Sequence, residues 1–426
     1  MVPVGMLAYL GYLVISQASN VPFWDQWNFV DVFAKYYQGT LGWNDLTEPH
    51  NGHIIFFPKL IMLAMGIASH WDVRYELAVN LFLVGCLYSC YRLLLLKQTD
   101  WGFFAHFFIA LVIGLLLFSY VQCENWTWGW QLQMFLCLLL VPISLGILSC
   151  NAITTRSVIV TALLTLCASF SYAAALNVWL VGGFLLAIRA AAPRHLALWL
   201  SFAIPCIGFY IFKDMSDRNL VVQDPLMQIK FILVFLGTPL GLAKINNSYH
   251  YGMVGLMAAT FVVYAAVTSG IWKRPIILFF LSILVFTVMS AVLTSLARAE
   301  VGGVYGNESR LTSVSVHFWI ALIVLMFICI REIKPNGLVK TITLASALVF
   351  IFSALHTSLE HKKYLFKYEE RTAAMNRLMA LTNQPGETFQ PGDDKILPLI
   401  CWDKYYLLEK AFILKKYGLS FYHTPE

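Results

Sequence analysis

About eleven apolar runs, each close to 20 residues long, recur along the chain. A run of that length crosses the hydrocarbon core of a bilayer as an α-helix, because about 30 Å divided by 1.5 Å of rise per residue is about 20 residues. The runs fall at residues 2–18, 77–96, 103–121, 131–148, 158–172, 176–190, 196–212, 252–271, 276–296, 312–330 and 339–356. Backbone polar groups in lipid must bond to one another, so such runs fold as helices. Composition agrees: 12% of the residues are charged, where soluble domains carry about 25%. The expected fold class is an all-α polytopic membrane protein of about 11 transmembrane helices, with a membrane domain over residues 1–356 and a small α-rich tail over 357–426.

Two further stretches read as interfacial or re-entrant. Residues 54–69 carry Pro58 and Lys59, and residues 231–243 are short and interrupted by Gly237, Pro239 and Gly241. With both kept on one side, Arg92, Lys97, Arg156, Arg189, Arg194, Lys273, Arg274, Arg331, Lys334 and Lys340 collect in short connections on the opposite face. Basic residues in short loops mark the cytoplasmic side. The N-terminus is then cytoplasmic, and the first loop (19–76), the later long loops and the tail are external. The first run has neither a basic flank nor a small-residue cleavage site, so it reads as a retained span rather than a removed signal peptide.

The net charge of +6 is spread over loops and fits contact with anionic lipid; it carries no nucleic-acid signature. The nine cysteines are scattered, mostly inside apolar runs, with no spacing for zinc or a disulfide framework. No phosphate-binding glycine loop, dinucleotide fingerprint or nucleophile elbow is present. In the tail, NQPGE and QPGDD are turn signals, and residues 404–416 repeat apolar positions at helical spacing.

Charge is scarce, so its clusters stand out. The first loop places Asp25 among Phe23, Trp24, Trp27 and Phe29. A carboxylate beside indole rings is partly desolvated, which makes it a better base. The plainer reading is a cap for a helix over 26–37. EPHNGH follows at 48–53, with His50, Asn51 and His53 on a turn that lines a sugar site, binds a metal or caps the next helix. ENWTWGWQLQ at 124–133 sets Glu124, Asn125, Gln131 and Gln133 beside Trp126, Trp128 and Trp130. Indoles anchor spans at the interface, but acids and amides beside them also suit sugar hydroxyls. Residues 297–310 carry Arg298 and Arg310 around a glycine-rich turn with Tyr305. Arginine with backbone N–H groups forms a phosphate clamp, or contacts lipid headgroups. Residues 213–219 read as a surface loop.

The order span, short link, FWDQW resembles the GT-C class of membrane glycosyltransferases, which take sugars from polyprenyl-phosphate carriers. The nearest resemblance is to bacterial members that modify O-antigen and lipopolysaccharide. The resemblance implies that Asp25 is the catalytic or acceptor-orienting acid and that Arg298 and Arg310 hold the carrier phosphate. Read from their own chemistry, Trp24, Trp27, His50, Asn51, His53, Glu124, Trp128, Gln131 and Tyr305 are the expected substrate contacts. The implied setting is the bacterial inner membrane, with a lipid-linked or surface glycan as acceptor and a donor-lipid flippase and synthase as functional partners. The paired acids of the metal-dependent members are absent around Asp25, so no cofactor is expected and a divalent metal is unsupported. Two alternatives remain. A transporter or flippase would place ionisable groups near the midplane on paired broken helices, and a polymerase would carry its large loop late in the chain.

Overall fold

The computed structural model describes residues 2–214, 224–242, 244–298, 306–334, 336–384 and 386–423. Among these residues there is no β-strand, only an isolated bridge between His50 and His53. Eight helical segments are long and apolar enough to cross a membrane by length and composition: Arg74–Gln98, Phe103–Trp126, Gly129–Cys150, Pro193–Lys213, Ile245–Thr268, Pro275–Arg298, Ser309–Ile333 and Gly337–Asn383. This is the architecture of a polytopic helical membrane protein. The helix Thr312–Ile333 sits at its centre, buried from Thr312 to Met326 on every face.

Three of the expected spans form shorter helices, Val2–Ser16, Thr155–Ser169 and Leu176–Ile188. The last two are joined by a tight 3-10 turn, Ala173–Ala175, whose residues are buried. Non-helical backbone at such a position is tolerated because protein covers it. The cover is the first loop, where His53 lies over Tyr172 with ring centres 4.2 Å apart.

Residues 231–243 depart from expectation. Residues up to Gly241 form the second half of a continuous helix, Pro225–Gly241, and the described residues from Phe231 to Gly241 are nearly all buried. Its glycines do not break it. They let it pack directly on Ile245–Thr268: a Cβ on Gly237 would sit 1.8 Å from the Ser248 carbonyl oxygen, and one on Gly252 would sit 1.8 Å from that of Leu233. Without a hydrophobic drive between helices in lipid, such backbone approach is what joins them. Pro239 has no N–H for the Phe235 carbonyl one turn back, and the Thr238 hydroxyl donates to that carbonyl instead, at 2.8 Å.

The first loop is built from a 3-10 turn, Trp24–Phe29, and helices Val30–Gln38, Trp43–Thr47 and Phe56–Ser69. Val30–Gln38 stops because Gly39 takes a left-handed φ of +71°. The tail folds as Tyr368–Asn383, Asp393–Ile396 and Lys404–Tyr417 and lies against this loop. Lys410 reaches Asp31 at 2.7 Å, the Tyr406 hydroxyl donates to Asn28 Oδ1 at 2.6 Å, and Trp27 Nε1 donates to the Ile400 carbonyl at 3.1 Å. One apolar core runs from Leu10 in the first helix to Leu419 in the tail.

Candidate active-site cleft

Asp25 sits in a turn that the surrounding protein over-determines. Trp24, directly before it, has φ of +48°, a conformation that bulky side chains avoid. The Trp24 N–H donates to the Ile400 carbonyl at 2.8 Å, which holds the strained residue from the tail side. From the bundle side, the Phe23 N–H donates to Gln26 Oε1 at 3.0 Å, and Gln26 Nε2 donates to the buried Glu76 carboxylate, which also accepts from Trp71 Nε1 at 2.9 Å. Gly129 makes room for this network: a Cβ there would meet Glu76 Oε2 at 2.2 Å.

His50 Nε2 lies 3.2 Å from Asp25 Oδ2. The pairing follows from a two-residue reversal at Asn51 and Gly52. Both have positive φ, +48° and +82°, and His50 and His53 exchange backbone hydrogen bonds at 2.9 Å. Asn-Gly is the sequence that such a turn selects. The reversal aims His50 at Asp25 and lays His53 on Tyr172, where the Ala173 N–H donates to His53 Nδ1 at 3.3 Å.

Asp25, His50, Asn51, His53, Trp128, Gln131, Arg298 and Arg310 all line one narrow cleft of about 40 Å³, together with Trp130, Gln133, Met134, Tyr172 and Leu311. The arginines share a partner, Glu308, whose Oε2 lies 3.3 Å from Arg298 Nη1 and 2.5 Å from Arg310 Nε. One carboxylate thus holds both guanidinium groups at the cleft, with Asp25 on the same lining. The indole N–H groups of Trp128 and Trp130 are buried with no partner among the described residues, a costly state in a native interior.

Trp128 and Arg310 also line a second, larger groove of about 900 Å³. Trp24 and Glu124 line this groove and not the cleft, together with Phe23, Asn307, Tyr364, Lys367 and Arg371. Glu124 Oε2 accepts from the Arg310 N–H at 3.1 Å, and Asn125 Nδ2 donates to the Arg310 carbonyl at 2.9 Å. The pair therefore fixes the Arg310 backbone from both sides. Trp27 lies apart from both cavities: it is fully buried and spends its N–H on Ile400, a packing role. Trp126 is likewise buried, with its N–H on the Ser119 carbonyl at 2.9 Å. Tyr305 lies outside the described residues. Among the described residues no three His, Cys, Asp or Glu side chains gather as a metal site.

Glu308, Tyr172 and Arg371 are absent from the candidates read from sequence. Glu308 had a signal, an acid two residues before Arg310 on the same turn. Tyr172 and Arg371 had none, because each reaches the site through tertiary packing. Arg371 comes from the tail, stacks 4.0 Å over the Phe23 ring and donates to the Thr127 carbonyl.

Comparison with protein-family models, with curated proteins and with solved structures finds no match for this chain.

Proposed function

We propose that this protein is a membrane glycosyltransferase of GT-C type that moves a sugar from a polyprenyl-phosphate carrier to a lipid-linked or surface glycan. The observation that carries the reading is a single cleft in which the Asp25–His50 pair faces a cavity shared with Arg298 and Arg310. Transfer to a hydroxyl needs a base for its proton and a cation for the departing phosphate. In the proposed step the acceptor oxygen attacks the anomeric carbon and its proton passes to Asp25. The bond from that carbon to the phosphate oxygen breaks with inversion, and the polyprenyl phosphate leaves against Arg298 and Arg310. For this the donor phosphate displaces the Glu308 carboxylate from the arginines as it binds.

The sizes assign the parts. The cleft admits a reacting hydroxyl and a phosphate oxygen, not a whole sugar ring. The adjoining groove, with Trp24, Trp128 and Tyr364 on its walls, is large enough for the carrier-linked sugar. In this reading about eleven helices span the bacterial inner membrane. The N-terminus is cytoplasmic, the first loop and tail are periplasmic, and a donor-lipid synthase and flippase supply the substrate. The charged groups lie together at the end of the bundle that carries the first loop, which favours an enzyme over a transporter with midplane sites.

The test uses purified protein in lipid nanodiscs with labelled polyprenyl-phosphate sugars and cell-envelope glycan. Wild type transfers label, and Asp25→Asn loses about a hundredfold or more of the rate. Undiminished transfer by Asp25→Asn removes the base from the mechanism.

A further inference from the structure

A third cavity, of about 270 Å³, lies on the other side of His50 and Trp130 from the cleft. Asn28, Phe29, Asp31, Lys35, Asp45, Glu48 and Lys59 complete most of its wall. We propose that it binds the terminal sugar of the acceptor, as a neutral, hydroxyl-rich monosaccharide unit. The proposal rests on the glycosyl-transfer reading and adds where the second substrate sits.

Size comes first. The volume is near the lower end of small-molecule pockets, about 300 Å³, which suits one sugar ring and excludes a polyprenyl chain. Charge comes second. Two of its three acids are matched, Asp45 with Lys35 and Asp31 with Lys410, while the Glu48 carboxylate has no ion pair among the described residues. The Lys59 side chain is buried and donates to the Asp45 and Glu48 carbonyls at 2.9 and 3.2 Å. With three acids against two ammonium groups the wall does not favour a phosphate, and no three of its His or acid side chains gather as a metal site. The wall offers carboxylate acceptors and ammonium donors at short intervals, the complement of a ring of hydroxyls that both donate and accept. Third, Phe29 and Trp130 supply an apolar face for the C–H side of a sugar.

Position completes the case. His50 and Trp130 line both this cavity and the cleft. A ring seated here has one edge against His50, the residue that pairs with Asp25 on the cleft side, so its hydroxyls lie next to the wall that the base shares. Donor groove, cleft and acceptor cavity then follow one another, sharing Trp128 and Arg310 at the first boundary and His50 and Trp130 at the second.

The test combines a binding measurement that needs no turnover with a kinetic one. Full-length protein in nanodiscs is titrated with methyl glycosides of neutral hexoses and followed by saturation-transfer NMR. The variants are Glu48→Gln, at an exposed rim position, and Asn28→Ala. Wild type is expected to bind at least one glycoside, with affinity about tenfold weaker in Glu48→Gln. Polyprenyl phosphate is not expected to compete. In the transfer assay the acceptor KM rises about tenfold in the same variant while the donor KM moves less than about twofold. Glycoside binding that depends on Glu48, in a protein that transfers nothing from the carrier, upholds the sugar site and overturns the glycosyl-transfer reading. Transfer by wild type with binding and acceptor KM unchanged in both variants overturns the acceptor site alone. Failure of every glycoside to bind wild type also overturns it.

Discussion

At the scale of single residues, tryptophans that look alike in sequence have different work. Trp24 is part-exposed on the groove, Trp128 lines groove and cleft, and Trp27 is sealed in the interior with its N–H on Ile400. Trp27→Phe keeps most of the buried ring but loses that bond and leaves a carbonyl with one donor fewer. The expected cost is about 1 kcal/mol of stability, read as a fall of a few degrees in Tm. Asp25→Asn is nearly isosteric, so its Tm stays close to wild type while the rate collapses. Asp45 gives a pH-dependent case. The Lys35 ammonium and the Gly42 N–H hold its carboxyl below the ordinary value of 3.8. A carboxylate depressed in the folded state contributes stability above the unfolded value and loses it as pH falls through the folded one. The Tm of wild type is therefore expected to fall more steeply than that of Asp45→Asn as pH drops below about 4, measured by thermal scans in detergent.

At the scale of elements, glycines and turns decide which surfaces meet. The helices Pro225–Gly241 and Ile245–Thr268 touch backbone to backbone at Gly237, Gly241 and Gly252. A methyl group at Gly252 has no space, so Gly252→Ala is expected to cost about 1–3 kcal/mol and to lower the yield of monodisperse protein on size exclusion. Gly208, in the helix Pro193–Asp214, has nothing within 4 Å of a built Cβ. Gly208→Ala is therefore expected to be neutral or slightly stabilising, because alanine is the better helix former. The same logic applies to the Asn51–Gly52 reversal. Gly52 sits at φ +82°, and Gly52→Val forces that turn to reopen. His50 then leaves Asp25, and the rate is expected to fall with little change in the bundle's thermal stability.

At the scale of the whole molecule, the tail is part of the site's scaffold. The Ile400 carbonyl accepts from both Trp24 and Trp27, Lys410 and Tyr406 tie down Asp31 and Asn28, and the Ser420 N–H donates to the His70 carbonyl at 2.7 Å. A chain ending at residue 396 lacks all of these ties. It is expected to keep its membrane helices and to lose protection of the first loop, seen as faster tryptic cleavage at Lys35 by mass spectrometry. In the proposed topology, protease added to intact spheroplasts removes the tail of the full-length protein. A tail protected until the membrane is opened overturns that orientation.

The sequence by itself determined that this is a bundle of apolar helices and where most of them run, because a bilayer requires length and hydrophobicity that any single run displays. It also marked Asp25, His50, His53, Arg298 and Arg310, because charge and imidazole are rare in such a chain and their placement in loops is local information. Only the tertiary structure decided that these residues share one cleft, that Trp27 serves packing, and that Arg371 reaches the Phe23 ring from the far end of the chain. It also decided that residues 225–241 stay helical through two glycines and a proline. Those outcomes depend on contacts between separate elements, from about ten to several hundred residues apart: a carbonyl that needs a donor, a ring that needs a cover, a backbone close enough to forbid a methyl. Even where both partners fall within 20 residues, as for Gly237 and Ser248, nothing in the sequence says that they meet.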